Sequence, residues 1–198
     1  MNGSKRAFLI GGAATLTAAW LARRSNSADT GAAAPAAAAP GPADRLAKTV
    51  TIEEFSPNGK SLGLKQVAKV VKSEAEWRAQ LSPLAYQVAR QAGTEYPFSG
   101  EYDKNHARGL YLCVCCDTAL YDSGTKFDSG TGWPSFYRAI SRYNVGEGKD
   151  TTLGMLRDAV SCTRCDAHLG HVFDDGPKPT GLRYCMNSVS LRFVPYPA

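Results

Sequence analysis

The sequence predicts a mainly β protein whose antiparallel strands follow two short helices. After Gly93, short strand-like pieces alternate with Gly, Pro, Asp and Asn, which is typical of antiparallel sheets. Before that point, Ser73 and Glu76 have the spacing of a capping box and mark the start of a first helix. Ser82 can cap a second helix with Pro83 at its first position, and Gly93 then ends it. A chain of 198 residues is long enough for one domain with a substantial core.

Two further stretches have strand patterns of their own. The segments "KTVTIEEF" and "LKQVAKVV" enclose Pro57, Asn58 and Gly59, whose turn chemistry predicts a hairpin. The stretch "GLRYCMNSVSLRF", residues 181–193, is predicted to be one strand. Because successive strand side chains alternate, one face of it begins polar and ends apolar, with Arg183, Cys185, Asn187, Val189, Leu191 and Phe193. Cys185 is then either a half-buried structural thiol or a reactive group.

Residues 1–27 are predicted to be an export signal. Lys5 and Arg6 precede the apolar stretch "AFLIGGAATLTAAWLA", which is shorter than the roughly 20 residues of a membrane-spanning helix. The opening "SKRAFLI" resembles the twin-arginine export motif, with Lys5 in place of the first arginine. We therefore expect the protein in a bacterial periplasm or cell envelope after export, with a membrane anchor as the alternative. Residues 28–46, rich in Ala and Pro, are predicted to be a disordered linker, and residues 47–198 the folded domain.

The charge of the chain argues against nucleic acid as a partner. The formal net charge is +5, but residues 1–27 contain Lys5, Arg6, Arg23 and Arg24 and no acidic residue, so the rest of the chain carries only +1. The body has no run of Lys and Arg that would form a basic surface for a polyanion.

Five of the six cysteines lie in two clusters, "YLCVCCDTAL" and "VSCTRCDAHL". Two C-x-x-C pairs can supply the four thiolates of one tetrahedral zinc site, and here they are Cys113, Cys116, Cys162 and Cys165. We expect one structural Zn²⁺ that joins distant segments and has no open position for chemistry. A pair of disulfides, favoured by an exported location, is the alternative. Cys115 has a less suitable spacing than Cys116.

A second group of chemistry-bearing residues lies in "CDAHLGHVFDDGPKPTGLRYCMNS". Cationic or hydrogen-bonding neighbours convert a thiol into a nucleophile by lowering its pKa, and a histidine can act as an acid near neutral pH. The candidate catalytic residues are His168, His171, Asp175, Arg183, Cys185 and Asn187. On a regular strand the two histidines would point to opposite faces, so the chain between them must turn for both to share a site.

The motifs "GTEYPFSGEY", "YLCVCCDTAL", "KFDSGTGWPSF" and "CTRCDAHLGHVFDDGPKPTGLRYCMNSVSL" resemble the methionine-R-sulfoxide reductases of the B type. The resemblance covers about residues 73–193. It implies two twisted antiparallel sheets with short helices at the start, a structural zinc remote from the active site, and reduction of the R epimer of methionine sulfoxide in proteins, as repair after oxidation. Each epimer has its own enzyme.

The family's nucleophile corresponds to Cys185, which would become a sulfenic acid during the reaction. By the same resemblance the other five candidates line the site, His168 or His171 supplies the proton, and Trp133 holds the methyl group of the substrate. Two positions depart from the family: Asp117 replaces a common glycine, and Thr131 replaces the resolving cysteine of many members.

The resemblance also implies the partners. The substrate is an oxidised protein or peptide, and the reductant is a thioredoxin-like protein or a small thiol. We expect a monomer without stable membrane insertion after processing. The alternative function is a non-catalytic zinc-knuckle binding module, which predicts basic clusters or exposed aromatic residues beside the knuckles.

Overall fold

Strands account for most of the regular structure in the computed structural model, which describes residues 48–150 and 157–197. The predicted export signal at 1–27 and the predicted linker at 28–46 lie outside these ranges and stay predictions. Within the described ranges no helix is both long and apolar enough to cross a membrane.

The strands are short, as the spacing of the turn residues predicts. In chain order they are β1 (Thr49–Phe55), β2 (Ser61–Ala68), β3 (Gly109–Cys113), β4 (Ala119–Asp122), β5 (Lys126–Phe127), β6 (Ser135–Phe136), β7 (Val145–Asp150), β8 (Arg157–Cys162), β9 (His168–Phe173), β10 (Arg183–Met186) and β11 (Leu191–Pro195).

The strands form antiparallel sheets, so the predicted mainly β class is confirmed. The six-stranded sheet has the order β5-β6-β10-β9-β8-β7, and the three-stranded sheet has the order β11-β3-β4. The predicted hairpin is also confirmed, because β1 pairs with β2 as a separate two-stranded sheet. The described residues therefore form three sheets, where the resemblance implied two.

The two helices begin where their capping residues predict. Helix α1 (Glu74–Gln80) has a complete capping box between Ser73 and Glu76. Helix α2 (Pro83–Gln91) starts with Ser82 as its cap and Pro83 in its first turn. Its end differs from the prediction, because Ala92 rather than Gly93 adopts the left-handed conformation, with φ 53°.

The predicted single strand over residues 181–193 is wrong. The chain leaves the six-stranded sheet after Met186, makes a 3-10 turn at Ser188–Ser190, and joins the three-stranded sheet as β11. The buried carboxylate of Glu95 accepts hydrogen bonds from the backbone N–H groups of Ser188 and Val189. These two groups therefore bond to Glu95 at the point where the chain turns.

A core of aromatic rings links the two larger sheets. Tyr111, Tyr121 and Phe136 have no solvent exposure, and the rings of Tyr121 and Phe136 stack with centroids 4.4 Å apart. Helix α2 packs against β9 and the 3-10 turn. β9 and β10 are therefore interior strands that are paired on both sides, and the helix also packs against β9.

Candidate active site and metal centre

The four cysteines of the two C-x-x-C pairs come together, although they lie on separate segments. The sulfur atoms of Cys113, Cys116, Cys162 and Cys165 all lie within 4.8 Å of one another. Two of the sulfur-to-sulfur distances are 3.6 Å, close to the ~3.8 Å edge of a tetrahedron with Zn–S bonds of about 2.3 Å. All six cysteines are free thiols, so the donor set fits a closed four-thiolate metal site rather than two disulfides.

The two knuckles have the same local backbone geometry. Asp117 and Asp166 each follow a C-x-x-C pair, adopt positive φ values of 57° and 56°, and donate their N–H to the carbonyl of the first cysteine of the pair. Asp117 therefore occupies a left-handed position that a glycine would adopt without strain. Arg192 pairs with Asp117 and Lys69 with Asp166, both at 2.7 Å. The acidic side chain beside each knuckle is therefore paired with a basic one.

Cys185 lies in the interior of the six-stranded sheet. On β10 it is the cross-strand partner of His171 on one side and of Ser135 on the other. Its thiol forms part of the wall of a cavity of about 110 Å³. The cavity is lined by Thr94, Trp133, Gly170, His171, Phe173, Cys185 and Asn187. Four of the residues predicted for the active site therefore meet at one small opening.

Burial and nearby polar groups act in opposite directions on the Cys185 thiol. Burial raises its pKa, because the charged form loses contact with water. The hydroxyl groups of Thr131 and Ser135 and the charge of Arg183 lower the pKa and offset part of this effect. The Thr131 oxygen lies 3.9 Å from the Cys185 sulfur, at the position where many family members are expected to have a second cysteine.

Arg183 is held in place by a paired carboxylate and an aromatic ring. Its Nε and Nη2 atoms donate to the two oxygens of Asp175, each at 2.8 Å, and its guanidinium lies 4.4 Å from the centre of the Phe173 ring. The hydrogen bond from Arg183 lowers the pKa of Asp175. Asp175 therefore acts on the thiol through Arg183, since it is exposed and is not part of the cavity wall.

The turn required between the two histidines is a β-bulge. Val160 pairs with Gly170 but Ser161 pairs with His168, so Leu169 is an extra residue on β9. The extra residue changes the alternation, and the two buried imidazole rings lie edge to face with centroids 5.2 Å apart. A side chain at Gly170 would place its Cβ 2.1 Å from the carbonyl oxygen of Cys185, so glycine is required where the two strands meet.

Asn187 and Trp133 are both oriented by residue 95, which the sequence analysis did not select. The amide of Asn187 accepts a hydrogen bond from the Glu95 N–H at 3.0 Å and donates to the Leu169 carbonyl at 3.1 Å. The indole N–H of Trp133 donates to the Glu95 carbonyl at 3.2 Å. Asn187 thus holds the bulge that brings the histidines together, and Glu95 connects it to the tryptophan.

Glu95 is 2 % exposed, and a buried carboxylate requires compensating donors. Its two oxygens accept from the N–H groups of Ser188 and Val189 at 2.7 and 3.0 Å. Gly100 leaves room for this contact, since a Cβ there would lie 2.5 Å from a Glu95 oxygen. In the sequence, Glu95 is part of the motif "GTEYPFSGEY", but the motif alone assigns no role to this glutamate.

Replacing Glu95 with glutamine should lower the free energy of unfolding by about 2 kcal/mol, because an amide NH₂ would then face a backbone N–H in a buried place. We also expect kcat to fall roughly tenfold, because weaker side-chain contacts with Ser188 and Val189 would let the backbone of residue 95 move, and Trp133 and Asn187 are bonded to that backbone. Chemical denaturation and steady-state kinetics measure the two effects. The exposed Glu101→Gln is the matched control, and an equally small effect of both variants would contradict this role for Glu95.

A family model described as the SelR domain matches residues 81–195, which is more than half of the chain. The chain belongs to the SelR family. The β1–β2 hairpin lies outside the range that the SelR model matches.

Three curated relatives of this SelR chain share the name "Peptide methionine sulfoxide reductase MsrB". The protein from Herminiimonas arsenicoxydans is 59% identical over 125 residues, which is 63% of this chain and 91% of the relative. A Pseudomonas putida protein is 58% identical over 127 residues, covering 64% and 96%. The Thiobacillus denitrificans protein is 57% identical over 124 residues, covering 63% and 94%. The family resemblance and the prediction of an enzyme are confirmed.

Proposed function

We propose that this SelR protein reduces the R epimer of methionine sulfoxide in proteins and peptides. Membership of the family supports methionine sulfoxide reduction in general. The observation that carries the finer proposal is the cavity in which the Cys185 thiol, the His171 imidazole and the Trp133 indole meet. The site thus combines a nucleophile, a proton donor and an apolar wall for a methyl group.

In the proposed reaction the Cys185 thiolate attacks the sulfoxide sulfur. The S–O bond of the substrate breaks, its oxygen passes to the cysteine, and methionine leaves. Cys185 is oxidised by two electrons to a sulfenic acid while the sulfoxide is reduced to a thioether. Arg183, fixed by Asp175, stabilises the thiolate that begins the step.

The sulfoxide oxygen must be protonated as its bond to sulfur breaks. His171 lines the cavity beside Cys185, whereas His168 lies behind it, in ring contact with His171. We therefore assign the proton donation to His171 and a supporting position to His168. Asn187 keeps both rings in place through its hydrogen bond to the carbonyl of Leu169 in the bulge.

The four-cysteine site fits Zn²⁺, and we assign it a structural role. Cys113, Cys116, Cys162 and Cys165 would hold the ion, and a closed four-thiolate site supplies folding energy rather than chemistry. The site joins the end of β3 to the end of β8, which belong to different sheets.

The assignment of the substrate is tested with two peptides that contain either the R or the S epimer of methionine sulfoxide. The protein is supplied with a small dithiol, and the methionine product is quantified by chromatography. We expect turnover of the R epimer alone. Turnover of the S epimer, or of neither, would reject the proposal.

Regeneration of the enzyme depends on what can reach the Cys185 sulfenic acid. Thr131 replaces the second cysteine, and Cys115 is buried between two metal ligands. We therefore propose that an external thiol, from a small molecule or a thioredoxin-like protein, attacks the sulfenic acid. This attack forms a mixed disulfide with Cys185 and releases water. A second thiol then attacks the mixed disulfide, which frees the Cys185 thiol and leaves a disulfide between the two external thiols.

After one equivalent of sulfoxide and no reductant, a sulfenate-specific nucleophile should label Cys185 in nearly all molecules. Thr131→Cys should reduce this labelling at least about fivefold, because the new thiol can condense with the sulfenic acid. Intact-mass and peptide mass spectrometry measure both outcomes. Cys115→Ser is the control and should label like the wild type. A disulfide between Cys115 and Cys185 in the wild type would contradict the scheme.

The rate of Cys185 alkylation should rise with pH, and its midpoint should lie above the ordinary pKa of a thiol. Burial raises this pKa, so little thiolate is present at neutral pH and more forms as the pH increases. Arg183→Gln should move the midpoint about one pH unit higher, because it removes a charge that favours the thiolate. Mass spectrometry of the Cys185 peptide follows the reaction. An unchanged midpoint in the variant would contradict the role of Arg183.

A further inference from the structure

Two exposed aromatic side chains lie on the segment that leads away from the active-site cavity. Tyr96 is 85% exposed and Phe98 is 66% exposed. Large apolar side chains that cluster on a surface lower the solubility of a protein, and such clusters mark interaction sites. We call this pair the aromatic shelf.

The aromatic shelf is tied directly to the cavity wall. Thr94 lines the cavity, and the next residue, Glu95, holds the Trp133 indole through its carbonyl. On the other side of Tyr96, the N–H of Phe98 donates to the Gly132 carbonyl at 2.8 Å. Tyr96 therefore lies two positions after Thr94, which lines the cavity. Phe98 is bonded to Gly132, the neighbour of the cavity residue Trp133.

The conformation of Phe98 is itself uncommon. Its φ of 62° lies in the left-handed region, which a bulky side chain rarely adopts because its Cβ is crowded by the backbone there. Its ring lies over Gly132, where a Cβ would come within 2.8 Å of the ring atoms. The fold thus holds a strained backbone and leaves two thirds of this aromatic residue in contact with water.

The size of the cavity limits what can enter it. A volume of about 110 Å³ is enough for the end of one side chain. The residues on either side of a bound methionine sulfoxide therefore lie outside the cavity, and the aromatic shelf is joined to the cavity wall through Thr94 and Gly132.

We propose that Tyr96 and Phe98 bind apolar residues that flank the methionine sulfoxide in an extended peptide segment. This inference rests on the proposed function. It adds a preference among substrates, namely for oxidised methionines from apolar stretches of a chain, such as those exposed when a protein unfolds.

The test compares three substrates with the R sulfoxide. They are a peptide with phenylalanine on both sides of the methionine sulfoxide, the same peptide with serine instead, and N-acetyl-methionine sulfoxide, which is too short to reach the shelf. In the wild type, kcat/KM for the phenylalanine peptide should exceed that for the serine peptide about tenfold, through KM, because aromatic surface is buried. Tyr96→Ser should reduce the ratio to about threefold, and Tyr96→Ser with Phe98→Asn should remove it. Asparagine tolerates the positive φ.

The exposed Leu62→Ser is the matched control and should keep the tenfold ratio. An equal rate for both peptides in the wild type would overturn the inference. So would variants that slow all three substrates by the same factor, since that result indicates a purely structural role. Absence of turnover of all three R-sulfoxide substrates by the wild type would instead reject the proposed function itself.

Discussion

Replacing Cys185 with serine should lower methionine sulfoxide reduction by at least about a thousandfold and leave the fold intact. A hydroxyl is a far weaker nucleophile than a thiolate at the pH of the reaction, and oxygen cannot accept the sulfoxide oxygen as sulfur does. The substitution is small, and the residue lies at the cavity wall rather than in the central core. Activity is measured with the R-sulfoxide peptide, and the fold by circular dichroism and thermal unfolding.

The control for this experiment is Cys115→Ser, which removes a buried thiol that is not part of the four-cysteine set. It should retain turnover. Residual activity near the wild-type value in Cys185→Ser would reject Cys185 as the attacking group and leave the family's chemistry without a nucleophile in the cavity.

Replacing Cys165 with serine should cause loss of the metal and of most of the stability together. Structural zinc sites contribute their binding free energy to folding, which is about 10–16 kcal/mol in small zinc domains. We expect the free energy of unfolding to fall by about 5 kcal/mol or more, as large as the total stability of many domains. Elemental analysis reports bound zinc, and chemical denaturation reports stability.

The two variants should give opposite results. Cys185→Ser should keep one zinc ion per chain and lose activity, whereas Cys165→Ser should lose zinc and lose activity only because the fold fails. The alternative of two disulfides would be supported if the wild-type protein contained no zinc and had no free thiols at Cys113, Cys116, Cys162 and Cys165.

Local signals in the sequence were sufficient for the helix starts and for the metal site. The caps at Ser73 and Ser82 satisfy N–H groups within the same turn, so their effect is visible over four residues. The C-x-x-C spacing likewise fixes each half of the thiolate cluster. Only the meeting of the two halves depends on the fold.

Contacts between distant residues account for the features that the sequence did not reveal. The bulge at Leu169 depends on Asn187, which lies 18 positions later in the chain, and no alternation pattern contains that information. The break in the strand after Met186 depends on Glu95, 93 positions before Ser188. A glutamate before a tyrosine looks like a surface residue until its two N–H partners are known.

The position of Cys185 between two paired strands has a consequence for repair in folded proteins. Its backbone is bonded on both sides within the sheet, and paired strands inside a sheet open less readily than loops and termini. If the protein has the proposed function, a methionine sulfoxide buried in a folded substrate protein must first become exposed by local unfolding of the segment that carries it. The rate of repair is then limited by how often that segment of the substrate protein unfolds. Among oxidised substrate proteins, the most stable would keep their methionine sulfoxide longest.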